Sequence, residues 1–102
     1  MHKVVVLYPQ PEDAAAFRDY YVSTHLPLAL KLPGMLAARY SFDVAAADGG
    51  PGFFAVFEAE FADGAAFGAA MQSPEGAAVG ADVANYSPKG ATIIHYPVET
   101  LK

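Results

Sequence analysis

Two short runs of β-forming residues bracket this chain, and each is apolar on both of its faces. Val4-Val5-Val6-Leu7-Tyr8 lies near the start and Ala91–Val98 near the end. A strand that covers a core with one face alternates apolar and polar residues. One that is apolar throughout has both faces covered and belongs inside a sheet. Met1–Tyr8 and Ala91–Val98 are therefore both read as central strands, and the residues between them must supply sheet neighbours and helices. Pro9-Gln10-Pro11 stops the first strand, because proline cannot donate to the ladder, and Pro97 limits the last.

Helical signals follow each half of the sheet. Asp13 is placed to cap a helix running to about Thr24, with Ala14, Phe17, Tyr20, Tyr21 and Thr24 along its buried face. Pro27 disfavours helical geometry at Leu26, so this helix is expected to end near His25. Leu28–Leu32 add one turn before Pro33-Gly34. Asp63 caps a second helix carrying Phe67 and Met71. Ser73-Pro74-Glu75 reads as a fresh start, serine capping and proline at the first helical position, with the helix resuming to about Ala84. Asn85–Gly90 is a loop by composition.

Met35–Ala47 and Phe53–Phe61 read as two strands joined by the turn Asp48-Gly49-Gly50-Pro51-Gly52. Pairing Tyr40, Phe42 and Val44 with Glu58, Val56 and Phe54 makes one face apolar except at its Tyr40/Glu58 end. The other face then sets Arg39, Ser41 and Asp43 against Ala59, Phe57 and Ala55. A slip of one residue exchanges the two faces. The order strand, helix, strand, strand, helix, strand predicts one α+β domain over residues 1–102, a ferredoxin-like βαββαβ fold. Its four-stranded antiparallel sheet carries both helices on one face, with strands one and three expected adjacent, parallel and central. The face without helices would carry Tyr40, Phe42, Val44, Phe54 and Val56. A bare apolar patch of that kind points to a homodimer formed through it, with any space left over forming a pocket, and a small-molecule pocket is expected in each subunit between the sheet and the helix side near His25, lined by apolar residues from strands two and three.

Composition removes several function classes. The net charge is −5 and the six basic residues are scattered, which excludes the clustered positive charge that nucleic acid or an anionic membrane requires. No apolar stretch approaches the roughly 20 residues of a membrane helix. Met1-His2-Lys3 leads directly into the first strand without a signal-peptide core, so a cytoplasmic protein is expected. With no cysteine, and three histidines lacking His-x-His or His-x-x-x-His spacing, no metal site is expected. No cofactor motif is present: the glycines at 49, 50 and 52 lack the following helix that a phosphate-binding loop needs.

Val4-Val5-Val6-Leu7-Tyr8-Pro9, Tyr20-Tyr21, His25-Leu26-Pro27-Leu28-Ala29 and Lys31-Leu32-Pro33-Gly34 together resemble the opening half of EthD-family proteins. Ser73-Pro74-Glu75-Gly76, Ala81-Asp82 and Asn85-Tyr86 resemble that family's second-helix region, so the likeness spans nearly the whole chain. It implies a dimeric α/β barrel and small organic ligands. Relatives with this architecture include cofactor-free lactone isomerases and polyketide dehydratases and cyclases, while many members have no assigned activity. The implied alternatives are conversion of a small metabolite without cofactor, a non-catalytic binding or accessory role beside an oxygenase or degradation pathway, or an oxygenase of the dimeric barrel type.

His25 is the leading site residue. At a helix end the dipole favours its imidazolium form, and it either bonds the last free carbonyls as a cap or moves a proton. In the resemblance it is the histidine of the His-x-Pro segment. Glu58 is the odd residue on an apolar face, either a neutral-pH acid raised by burial or a solvated carboxylate paired with Arg39 or a lysine. Tyr40, Phe42, Phe54, Val56 and Tyr21 are the candidate ligand-lining residues. His95 is read as a core histidine with His2 near it. Asn85, Tyr86 and Lys89 belong to a segment placed to close a pocket.

Overall fold

The computed structural model describes residues 1–102. Strand β1 (His2–Tyr8) sits inside a four-stranded sheet of order β2-β3-β1-β4, with β2 at Ala37–Val44, β3 at Phe53–Phe61 and β4 at Thr92–Pro97. β1 pairs with β3 and with β4, and every pairing is antiparallel. The expected adjacency of the first and third strands holds, but their expected parallel direction does not. The crossover from β1 returns β2 in the same direction, and the hairpin then reverses β3 beside β1. β4 is an edge strand with all six residues exposed, not the central strand its composition suggested.

The helices are α1 (Ala14–Tyr20), α2 (Leu26–Ala29), α3 (Gly64–Gln72) and α4 (Pro74–Tyr86). Asp13 caps α1 by accepting from the Ala16 amide at 3.0 Å, and Asp63 caps α3 by accepting from Ala66 at 2.8 Å. Ser73 separates α3 from α4 and caps the latter through the Gly76 amide. A side chain at Gly76 would collide with the Ala70 and Met71 carbonyls, so glycine is what lets the two helices meet at this angle. No helix is long and apolar enough to cross a membrane.

The hairpin register differs by one residue from the expected pairing. Tyr40 faces Phe57, Phe42 faces Ala55 and Arg39 faces Glu58. Tyr40 and Phe42 therefore turn toward the helices, where both meet Tyr21 and Phe42 also meets Phe17. The ladder is interrupted at Asp43, whose φ is +58°, and Phe54 beside it packs on Phe17 and under the Arg18 guanidinium. Arg18 grips the Asp43 carboxylate at 2.8 and 3.0 Å. This distortion brings both Phe54 and its neighbour Ala55 into the core, which strict alternation forbids.

The helix-free face is therefore not the aromatic patch expected from Tyr40, Phe42, Val44 and Phe54. Register places Val5, Leu7, Val56, Ile94 and Tyr96 on it, together with Lys3, Arg39 and Glu58. The charges pair off, Lys3 with Glu58 at 3.3 Å and Arg39 with Glu60 at 3.9 Å. The core lies on the other side, where Tyr8, Phe17, Tyr21 and Phe61 are the largest fully buried side chains.

Candidate functional site

The first helix does not end at His25. Between α1 and α2 the chain widens into one π-helical turn, Tyr21–His25, and Leu26 keeps helical geometry at φ −59° and ψ −41°. Pro27 explains the widening. It has no amide hydrogen, and its ring would crowd the carbonyl of an ordinary preceding turn. The wider turn lets the Leu26 amide reach back to the Tyr21 carbonyl, and the helix passes through the proline instead of stopping. It also turns Tyr21 and His25 inward together. Tyr21 is fully buried, His25 is 4% exposed, and their rings stack at 5.4 Å and 19°.

His25 Nδ1 meets Asp82 Oδ2 at 2.9 Å, and Asp82 is itself buried. The other carboxylate oxygen accepts from the Tyr20 hydroxyl at 2.6 Å and from Asn85 Nδ2 at 3.0 Å. Asp82, Asn85 and Tyr86 occupy i, i+3 and i+4 of α4, so they form one face turned toward His25. The Tyr86 ring completes the contact, 4.5 Å from the imidazole.

Electrostatics fix the protonation of this group. Burial pushes the His25 imidazole below its ordinary value, against the pull of Asp82. Burial alone would raise the Asp82 carboxyl, but hydrogen bonds from Tyr20, Asn85 and His25 outweigh it and hold the acid below the usual range. The pair at neutral pH is thus a carboxylate beside a neutral imidazole whose proton sits on Nδ1. Nε2 has no partner within the chain and keeps a free lone pair. A carboxylate that fixes the tautomer of a histidine and leaves its far nitrogen basic is the arrangement of a general base. The helix-end imidazolium expected at His25 is overturned, because the helix continues and burial favours the neutral ring.

His25 lies in the wall of a cavity of about 100 Å³ between the sheet and α4. The remaining wall is Val4, Val6 and Tyr8 from β1, Phe57, Ala59 and Phe61 from β3, Ile93 from β4, and apolar residues of the helices. Strand β3 contributes to this wall, and β2, expected to share it, does not. Tyr21, Tyr40, Phe42 and Phe54 are brought together elsewhere, as an aromatic row that runs from the buried Tyr21 and Phe54 through the half-buried Phe42 to the exposed Tyr40. Val56 and Glu58 lie on the opposite side of the sheet, where the register puts Glu58 among ion pairs and away from Tyr40.

Asp82, missing from the expected site, is the acid that completes it. Its sequence signal is small: one carboxylate midway along an apolar helix, with an amide at i+3 and a tyrosine at i+4. Tyr8 was legible only as a core tyrosine. Its hydroxyl bonds the Tyr86 hydroxyl at 2.8 Å, and the Tyr21 hydroxyl is buried beside them.

Two further features lie outside the cavity. A surface groove of about 410 Å³ runs between the β1–α1 and α4–β4 loops, with Tyr20, Asn85, Tyr86 and Lys89 in its wall; Lys89 bridges to the Gln10 carbonyl at 2.9 Å. His2 and His95 meet as expected, Nε2 to Nδ1 at 2.9 Å, and no three His, Asp or Glu side chains come together as a metal-binding group.

A family model described as the EthD domain matches residues 9–90. An uncharacterized 11.0 kDa protein in the thcB–thcC intergenic region of Rhodococcus erythropolis is 35% identical, covering 99% of this chain and 98% of its own length. A crystal structure of an ethyl tert-butyl ether degradation (EthD) family protein from Bacillus halodurans superposes with a TM-score of 0.88 at 32% identity, covering 97% of this chain and 99% of that one. A dimeric ferredoxin-like protein of unknown function from Thermobifida fusca shares the fold, with a TM-score of 0.72 at 13% identity, covering 95% and 90%.

Proposed function

This chain belongs to the EthD family, and we propose that it binds a small, neutral organic metabolite in the cavity beside His25 and converts it by proton transfer without a cofactor. The observation that carries the reading is the buried His25–Asp82 pair, whose free nitrogen belongs to a residue of an otherwise apolar wall. Desolvation suits the pair to a neutral ligand, since a carboxylate or ammonium entering this cavity would lose its water with no opposite charge to meet it. The size limit is strict. A dry cavity of about 150 Å³ accommodates the six heavy atoms of benzene, so about 100 Å³ suits a molecule of roughly four.

The working unit in this reading is a homodimer joined through the helix-free sheet face. Val5, Leu7, Val56, Ile94 and Tyr96 supply its apolar centre and the Lys3–Glu58 pair its polar margin. A ferredoxin-like protein of the same fold is itself dimeric, which supports pairing of two copies. Pairing through this face leaves the His25 cavity, on the helix side, within each protomer.

Thermal stability measured with small neutral organics tests the binding. A ligand at ten times its Kd stabilises by about 1.4 kcal/mol, which raises the melting temperature by roughly 6–11 °C in a domain of this size. Gly80→Leu places a side chain in the cavity wall where an added Cβ meets nothing within 4 Å, and it should abolish the ligand shift while the fold persists. Equal ligand shifts in wild type and Gly80→Leu would place binding elsewhere. A purely carrier role is favoured by the sparse polarity of the wall. It predicts that Asp82→Asn, which disables the base, leaves the protein's service to its pathway intact.

A further inference from the structure

We propose that His2 and His95 form a binding site for a divalent late transition-metal ion, copper(II) above nickel(II) and zinc(II), held between His2 Nε2 and His95 Nδ1. Neither histidine belongs to the wall of the His25 cavity, so this site is independent of the proposed function.

The sheet register brings the two rings together. On β4, His95 pairs with Val4 and Pro97 with His2, so His95 lies diagonally across from His2 on the same face of the sheet. Their nearest nitrogens are 2.9 Å apart. Phe67 of α3 packs against both, its ring centre 6.2 Å from that of His2 and 4.9 Å from that of His95. His2 is buried and held in this contact, whereas His95 stands exposed on the edge strand and is free to turn. Lys3, the next residue of β1, points to the opposite face and pairs with Glu58, which keeps its ammonium away from the two rings. The net charge of −5 further favours a cation.

Without metal, one ring donates a hydrogen bond to the other, and the ion takes the place of that shared proton. Two nitrogens each about 2.05 Å from one ion stand about 2.9 Å apart at a right angle and about 3.3 Å apart at a tetrahedral one. The observed spacing fits adjacent positions of a square or octahedral ion. Imidazole nitrogens in that geometry suit copper(II) and nickel(II) ahead of zinc(II), and offer little to magnesium or calcium, which take oxygen ligands. No third histidine, aspartate or glutamate joins the pair, so water fills the remaining positions. The consequence is mechanical. β4 is bonded to the sheet along one edge only and all six of its residues are exposed, so an ion bridging His95 to the buried His2 clips this strand to β1.

The experiment is thermal melting of the purified full chain with the chlorides of copper(II), nickel(II) and magnesium, beside electron paramagnetic resonance of the chain carrying one equivalent of copper(II). Copper(II) at ten times its Kd should raise the melting temperature by roughly 6–11 °C, and magnesium at the same concentration should not. The copper spectrum should show coupling to two imidazole nitrogens. His95→Gln should lose the thermal shift and one of the two couplings, while melting close to the metal-free wild type because its side chain is exposed. His2→Gln should lose the shift as well, and the His95 variant keeps the test open if this buried change destabilises the fold. A shift unchanged in His95→Gln would place the ion at His2 with the chain's amino end, or elsewhere, and overturn the site. No shift with copper(II), or an equal one with magnesium, would overturn it too.

Discussion

Asp82→Asn keeps the size of the side chain and removes its charge, and the structure dictates how the new amide must sit. Two donors, the Tyr20 hydroxyl at 2.6 Å and Asn85 Nδ2 at 3.0 Å, converge on one oxygen. The carboxamide must keep its only oxygen there, which turns its NH2 group toward His25 Nδ1, now 2.9 Å from the other carboxylate oxygen. Nδ1 then has to accept, so the imidazole proton moves to Nε2 and the free lone pair there is lost. The change replaces a charge-assisted hydrogen bond by a neutral one at a buried site, a loss of about 1–2 kcal/mol. For a chain of 102 residues this lowers the melting temperature by roughly 4–16 °C without unfolding it at room temperature. Any activity that depends on the Nε2 lone pair should fall far more than stability does. The assay is a multiple-bond proton–nitrogen NMR correlation on nitrogen-15-labelled histidine, which reports the protonated ring nitrogen directly. The wild type should show Nδ1–H and the variant Nε2–H. A wild type protonated on Nε2, or a variant with the same tautomer as the wild type, would refute the reasoning.

Other consequences follow from the same geometry. Because the folded His25 imidazole lies below its ordinary value of 6.5, the unfolded chain binds the extra proton first as pH falls. Stability should therefore drop as pH decreases from about 6.5 toward the folded value and level off below it, and this component should vanish in His25→Gln, as denaturant titrations across pH will reveal. Gly80→Ala should raise stability by about 0.5–1 kcal/mol, since its Cβ meets nothing within 4 Å, whereas Gly76→Ala should lower it because the Cβ strikes the Ala70 carbonyl; paired melting curves check the contrast. Ile94→Asp places a charge on the helix-free face and should convert the proposed dimer to a folded monomer in light scattering, so an unchanged mass would move the interface elsewhere.

Much of the fold was legible in local chemistry. Asp13, Asp63 and Ser73 each cap the helix they were expected to cap, and the apolar run of β1 does sit between two strands. These are short-range signals, where a side chain or a proline acts on its own turn. The hairpin register was not legible. The connection between β2 and β3 is too long to dictate pairing, and the positive φ at Asp43 disrupts the alternation from which the faces were read. That one-residue difference turned Tyr40 and Phe42 to the helix side and Glu58 to the far face. Pro27 misled for a related reason. Proline ends an α-helix but not a π-helical turn, and a π turn leaves no mark in hydrophobic spacing. β4 looks central because its outer face is apolar, although in the single chain nothing covers it.

The site followed the same division. His25 stood out as a lone histidine before a proline, whereas Asp82 became its partner only through a contact spanning 57 residues. Helix spacing places Asp82, Asn85 and Tyr86 on one face, but only the packing of α4 against the π turn shows what that face meets. The cavity likewise depends on which side of the sheet the helices occupy, and that depends on the register.

The central claim is that a buried histidine–carboxylate pair opens onto a cavity that binds small neutral molecules. A titration of the nitrogen-15-labelled protein with acetone tests it most directly. Saturable shifts should appear at His25 Nε2 and at the amides of Val4, Phe57, Ala59 and Val83, which line the cavity. Shifts confined to Glu12, Tyr20 and Lys89 along the outer groove, or no saturable shift at all, would contradict the claim.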